Sequence, residues 1–245
     1  MCVLEGPDLV QAALEAAVEF EALYLDGVPS ARDEWRSLAT RAAKQGVRTF
    51  YLAPGVLERV ASATAPQPML AAVRLPVVGL DAVPCNGLVL VLHDVRDPGN
   101  AGTLVRSAEA AGASGVVFTG QSVDPVNPKT LRATAGAIFR VPVACATLES
   151  ALATFSAKGA VSYATVVHGG MSYREVDLRR PTAVVVGNEA SGLDDDALAL
   201  CDERMSIEMV GAAESLNAGV AGSLILFEAL RQREGTTALP PTPSL

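Results

Sequence analysis

A chain of 245 residues with 27 acidic and 19 basic side chains, formal charge −8, lacks the overall basic excess by which nucleic-acid binders are usually recognised, although net charge does not locate charge. Half of its residues are hydrophobic and only 4% aromatic, enough for one large or two modest cores of α/β composition. No apolar run reaches bilayer length, and Glu5, Gly6 and Pro7 break the opening stretch before it could act as a signal peptide, so a cytoplasmic protein without membrane contact is expected.

In chain order, Cys2 begins a strand with no flanking tail, so a start upstream of Met1 is one expectation. A helix is expected from Asp8 to Val18, then a strand (FEALYLD), a helix from Ala31 to Gln45, a strand (VRTFYLA) and a helix starting near Pro54. Residues 1–75 thus form a compact α/β unit. The stretch LPVVGLDAVPCNG, rich in Pro and Gly, reads as a linker over residues 76–86. A second domain spans 87–235, with short strands (the Val-rich LVLVLH, GVVFTG, VSYATVV and TAVVVG, and RMSIEM) separated by Ala-rich helices, the pattern of a largely parallel sheet. A long helix follows Asn217. Residues 236–245 are Pro-rich and expected to be disordered.

Cys2, Cys85, Cys145 and Cys201 lie far apart and form no CxxC, so four buried thiols are expected rather than a zinc site or a disulfide framework. His93 and His168 stand singly. No metal is expected.

Ligands of open α/β sheets bind beyond the carboxyl ends of the strands, and three such segments stand out. In DVRDPGNAGTLVRSAEAAGASG, Asn100 reads as an N-cap, Leu104, Ala108 and Ala111 form an inward stripe, Arg106 points away and Gly112 ends the helix. In VVVGNEASGLDDD, a strand runs into Gly187, Asn188 and Glu189, with a turn at Gly192 before an Asp-capped helix. In SIEMVGAAESLNAGVAGSLILFEALRQR, a Gly211 loop leads to Ser215, Leu216 and Asn217 at the start of a helix. Its first turns hold Ala218, Gly219, Ala221, Gly222 and Ser223, so nearly bare that a backbone, a cofactor or a second subunit must approach closely. Taken singly, each motif has a plain explanation. Asn100 and Asn217 could simply cap helices, Glu189 could be a solvated carboxylate, and Arg106 could pair with Glu109 at i+3.

Together, DxxDPGNxGxxxRxAxAxG, VxGNExxGL and IxMxGxxxSLNxxVA resemble the SpoU/TrmH-type RNA 2′-O-ribose methyltransferases of the knotted SPOUT superfamily, over Leu88 to Arg233 and including DPVNPKTLRATAGAIFRVPV. The resemblance implies an α/β fold in which a C-terminal SPOUT catalytic domain, with a parallel sheet and a deep trefoil knot, follows a small ribosomal-protein-like substrate-binding domain. It implies S-adenosyl-L-methionine as cofactor, a homodimer, no metal, and RNA as partner, ribosomal RNA before tRNA. Cofactor contacts fall on Thr165, Val166 and Val167, on Gly187, Asn188, Glu189, Gly192 and Leu193, and on Ile207, Met209, Ser215, Leu216 and Asn217. Catalytic roles fall on Asn100, Arg106, Glu189, Ser215 and Asn217. RNA contacts fall on Arg106, Lys129 and Arg132, which with Arg140 would give a local basic face. Arg106 is cast in the family as a general base, but a guanidinium stays protonated and suits stabilisation of developing negative charge.

Two residues depart from the family pattern: Glu208 replaces a Pro, placing a carboxylate beside the expected adenine pocket, and Ala218-Gly219 replaces Val-Ser. A non-catalytic RNA-binding module and a nucleotide-binding oxidoreductase are the competing readings. Against the second, no GxGxxG follows a strand.

Overall fold

The structure, a computed structural model, describes residues 1–27, 33–61, 67–75 and 77–234. The expected tail at 236–245, Ala31 at the start of the second expected helix, and Pro76 of the expected linker lie outside them. The described chain builds two sheets.

The first is formed by β1 (Cys2–Glu5), β2 (Glu19–Asp26), β3 (Thr49–Leu52) and β4 (Met69–Arg74), with α1 (Pro7–Glu15), α2 (Asp33–Lys44) and α3 (Val56–Val60) between them. Its order is β1-β4-β2-β3, with β4 antiparallel to both neighbours. The central β4 was absent from the expected elements. Met69, Leu70, Ala71 and Val73 are all buried, so MLAAVR lacks the apolar-polar alternation by which a half-buried strand is recognised.

The described part of the expected linker is no free spacer. Val77 bridges to Val143, the Val78 N–H donates to the Val143 carbonyl at 2.9 Å, and Val83 and Cys85 are buried in the second core.

The second sheet comprises β5 (Leu88–His93), β6 (Gly115–Thr119), β7 (Val143–Ala146), β8 (Val161–Val166), β9 (Met171–Ser172), β10 (Thr182–Val186) and β11 (Glu203–Ser206). The order is β7-β6-β5-β10-β8-β11-β9 and every pairing is parallel. The edge strands β7 and β9 were not expected: VACA and a two-residue strand carry too little pattern. In β5, Leu88, Leu90 and Leu92 face one core with α4 (Pro98–Ala110) and α8 (Ala218–Glu234), while Val89 and Val91 face the other with α6 (Leu148–Ala157) and α7 (Asp195–Leu200). Alternate residues of a strand point to opposite faces, so a continuous apolar run here means helices on both sides.

At Gly222 the bare turns of α8 are explained by its own chain. A Cβ at Gly222 would lie 2.4 Å from Leu104 Cδ2 on α4 and 3.2 Å from Val186 Cγ2 on β10. On its other flank α4 meets α5 (Pro128–Thr134), where a Cβ at Gly102 would lie 2.3 Å from Ala133 Cβ. Of the four thiols, Cys2 and Cys85 are buried and Cys201 is half-buried, its pKa pushed up to about 11, chiefly by burial. Cys145, on edge strand β7, is exposed, against expectation. Among the described residues no helix is long and apolar enough to cross a membrane, and no cluster of His, Cys, Asp or Glu is placed to hold a metal ion.

Candidate active site

The first two motifs are bound to each other. Asp94, at the end of β5, takes a left-handed conformation (φ 56°), and its Oδ1 accepts from the Gln121 N–H at 2.6 Å. Asp97, not Asn100, is the N-cap of α4, accepting the Asn100 N–H at 2.7 Å with Pro98 in the first turn. The Asn100 side chain is therefore released for other work. From the second motif, Asn188 Nδ2 donates to the Asp94 carbonyl at 2.9 Å. Its Oδ1 accepts from the N–H groups of Ala190 (2.9 Å) and Ser191 (3.2 Å), shaping the loop. Asn188 and Gly192 then exchange backbone hydrogen bonds at 3.0 and 2.9 Å, with Gly192 at φ 69°. A Cβ at Gly187 would lie 2.5 Å from the Gly192 carbonyl carbon, so only glycine lets the loop close this tightly.

The third motif joins them through a hydrogen-bonded chain. Glu189 Oε1 accepts from the Asp97 N–H at 3.1 Å and from Asn100 Nδ2 at 3.2 Å, and its Oε2 accepts from the Arg96 N–H at 3.3 Å. Asn217 Nδ2 donates to Asn100 Oδ1 at 2.9 Å, and Asn217 Oδ1 accepts the Val220 N–H at 3.2 Å, capping α8. Burial pushes the Glu189 carboxyl up, but hydrogen bonds from its own backbone, the Asn100 amide and the backbone of Asp97 and Arg96 together hold it below the ordinary carboxylate value. Glu189 is thus exposed but held by these hydrogen bonds, and it is not tuned as a base near neutrality.

Beside this chain opens a cavity of about 350 Å³ at the carboxyl ends of β8, β10 and β11. Its walls include Thr165, Val166 and Val167 after β8, then Gly187, Asn188, Glu189, Gly192 and Leu193 after β10. Ile207, Met209, Ser215 and Leu216 complete it from the loop before α8. Asn217 alone of the expected cofactor residues does not line it and stands behind, in the hydrogen-bonded chain. Met205, Ser206, Ala218, Ala221 and Ile225 also line the cavity. They were missed because strand and helix interiors carry no motif to distinguish a wall from a core. Glu208 is exposed and does not itself line the cavity, but it stands between Ile207 and Met209, which do.

The expected basic residues separate. Arg106 is exposed on α4, six residues beyond Asn100 and so about 9 Å along the axis, and lies outside the cavity. Glu109 is taken by Arg140, whose Nε donates at 2.8 Å, so the i+3 pair with Arg106 does not form. Arg132 Nη1 donates to Glu5 Oε2 at 2.8 Å, an ion pair between α5 and β1 of the first sheet. Lys129 is exposed. Two of the four cations expected on a basic face are thus engaged within the chain.

Comparison with known proteins bears on this geometry. Residues 87–227 match the SpoU rRNA Methylase family. Over 225 residues the chain is 31% identical to the 23S rRNA (guanosine(2553)-2′-O)-methyltransferase RlmP of Bacillus subtilis, covering 92% of this chain and 86% of that protein. It resembles the SpoU methyltransferase AviRb from Streptomyces viridochromogenes in complex with AdoMet, with TM-score 0.84, 31% identity, and coverage of 94% and 89% of the two chains. An AdoMet-bound rRNA methyltransferase from Sinorhizobium meliloti gives TM-score 0.82 and 30% identity, covering 94% and 87%.

Proposed function

Because this chain belongs to the SpoU rRNA methylase family, and is an S-adenosylmethionine-dependent RNA 2′-O-ribose methyltransferase, we propose that its site is the cavity at Gly187 to Leu193 and that it methylates ribosomal RNA in the cytoplasm. The observation that carries the reading is the Glu189-Asn100-Asn217 chain, which ties three distant motifs together at the cavity's edge. The cofactor fits the residues present. The volume lies in the range of small-molecule sites, and apolar side chains from Val166, Leu193, Ile207 and Leu216 alternate with backbone amides of a glycine-pinched loop.

When bound, S-adenosylmethionine supplies an electrophilic sulfonium methyl. The chain's own residues orient and stabilise. Glu189, by accepting from the first turn of α4, fixes Asn100. Asn100 and Asn217 hold the start of α8, and with it Ser215 and Leu216, against the cavity. Arg106, aimed at the target nucleotide, stabilises a phosphate or the oxyanion that develops as the 2′-hydroxyl loses its proton. Orientation of that hydroxyl supplies much of the remaining acceleration.

Arg106 requires a second copy in this reading. Val220, Leu224 and Phe227 are exposed on one stripe of α8, opposite Gly222, Leu226 and Ala229, which are buried. A second protomer covering this stripe would leave Arg106, on the adjoining α4, at the seam, facing the partner's cavity. The return of the chain from β11, past β8 and β10, to lay α8 against α4 supports the trefoil knot. The first sheet, with residues 1–75, serves as the substrate-binding unit.

The test is transfer of labelled methyl from S-adenosylmethionine to ribosomal RNA, with the modified position mapped by resistance to alkaline cleavage. One protected linkage per RNA is expected. Absence of both cofactor binding and transfer would sink the reading.

A further inference from the structure

One cross-strand row of the first sheet runs Glu5, Leu70, Tyr24, Phe50, each the register partner of the next on β1, β4, β2 and β3. Register partners present their side chains on one face. The two ends of the row differ sharply.

At the β1 end the catalytic body docks. Glu5 is the one charged residue among those buried in the described chain, at 7% exposure, and Arg132 of α5 supplies its counter-charge. Beside it Gly136 (φ 83°) leaves room for Ala12 of α1, whose Cβ would lie 2.4 Å from an added one. A buried carboxylate stripped of its partner is strongly unfavourable, so the pair fixes how the sheets sit together. Because α5 packs on α4 through Gly102, the row is referenced to the helix that carries Asn100 and Arg106.

At the β3 end the Tyr24 and Phe50 rings stack, with centroids 5.6 Å apart and planes 20° from parallel. Phe50 is 45% exposed on the outermost strand. Edge strands are normally protected by charge, Pro or a bulge, and a flat aromatic pair is the reverse of that protection. Two strand spacings separate Tyr24 from Glu5 and three separate Phe50 from it, about 10 and 14 Å. Two rings are far too small to form a stable protein interface, which needs about 800 Å² per partner. They match one or two nucleobases, whose faces stack on aromatics irrespective of sequence.

We infer that Tyr24 and Phe50 form a stacking surface for unpaired bases of the RNA substrate, held at a fixed offset from the methyl-transfer site by the Glu5–Arg132 pair. The inference rests on the RNA methyltransferase reading and names where that substrate is held. Arg132 is then a positioning residue rather than a phosphate contact.

The test uses the full chain and a ribosomal RNA fragment. Phe50→Leu keeps the apolar bulk and should raise KM for RNA about tenfold, within the cost of one lost base stack, with kcat and the S-adenosylmethionine melting shift unchanged. Phe50→Trp should restore KM, and the added fluorescence over wild type should be quenched by an unstructured oligoribonucleotide. Arg132→Glu should raise KM, and adding Glu5→Arg should lower it again, which a phosphate contact would not allow. An unchanged KM in Phe50→Leu, added fluorescence in Phe50→Trp that RNA does not quench, or a changed sedimentation mass in Phe50→Leu, marking a protein interface, would overturn the inference. If Phe50→Leu fails to fold, the quenching decides. Quenching by RNA in a chain that transfers no methyl would retain the surface and remove the reading it rests on.

Discussion

Among the described residues Glu189 forms no salt bridge, yet three donors from the start of α4 converge on its two oxygens. Its folded-state pKa lies below the ordinary carboxylate value, so its stabilising contribution is complete above the unfolded value of about 4.3 and is lost as pH falls through the lower, folded one. Near neutral and alkaline pH it does not titrate. Glu189→Gln should therefore lower kcat/KM by about tenfold, the scale of one weakened charge-assisted hydrogen bond, with a pH-rate profile parallel to wild type over that range. An inflection present in wild type and missing in the variant would make Glu189 a base and contradict the positioning role. Asn217→Ala removes both the bond to Asn100 and the cap on Val220, and should cost ~1 kcal/mol of stability and weaken activity. A thermal melt measures the first, a methyl-transfer assay the second.

Helix α8 illustrates how much of an element is legible before its neighbours are known. Its glycines announce a close approach, because each costs helix stability that something must offset. What approaches could not be read, since Leu104 and Val186 sit 118 and 36 residues upstream of Gly222 with no sequence signal linking them. The same holds for Asn100, whose type and place fit an N-cap until Asp97 is seen to fill that role. Strands β5, β6, β8 and β10 were legible as Val-rich runs and β11 from RMSIEM, whereas β4, buried without alternation, and the short edges β7 and β9 were not. At Gly102 the approach is to backbone as well as side chain, with the Thr130 carbonyl oxygen 2.8 Å from an added Cβ. Gly102→Ala must therefore push α4 and α5 apart and should destabilise by about 1–3 kcal/mol. Gly222→Ala meets chiefly a Leu104 methyl and should cost less. Urea melts of the two variants would rank them, and the reverse order would show that α4 yields more readily towards α5 than towards α8.

At the scale of the whole molecule, the question is whether one chain contains a complete site. Arg106 stands outside the cavity of its own chain, beside a helix whose exposed stripe of Val220, Leu224 and Phe227 has no partner among the described residues. In the proposed dimer, covering this stripe by two-fold symmetry would bury it in both copies and create two composite sites, each with the cavity of one protomer and the Arg106 of the other. Leu224→Glu should then give monomers by sedimentation that bind S-adenosylmethionine but transfer no methyl. The sharper experiment mixes two inactive proteins. Arg106→Ala keeps its cavity, and Ser215→Tyr with Asn217→Ala keeps its Arg106, so each parent dimer lacks one half of both sites. In a mixed dimer one site receives both intact halves and the other neither. Random exchange makes about half of the dimers mixed, so activity should recover to roughly one quarter of wild type. Should Arg106 serve the cavity of its own chain, no pairing of these parents contains an intact site, and mixing restores nothing.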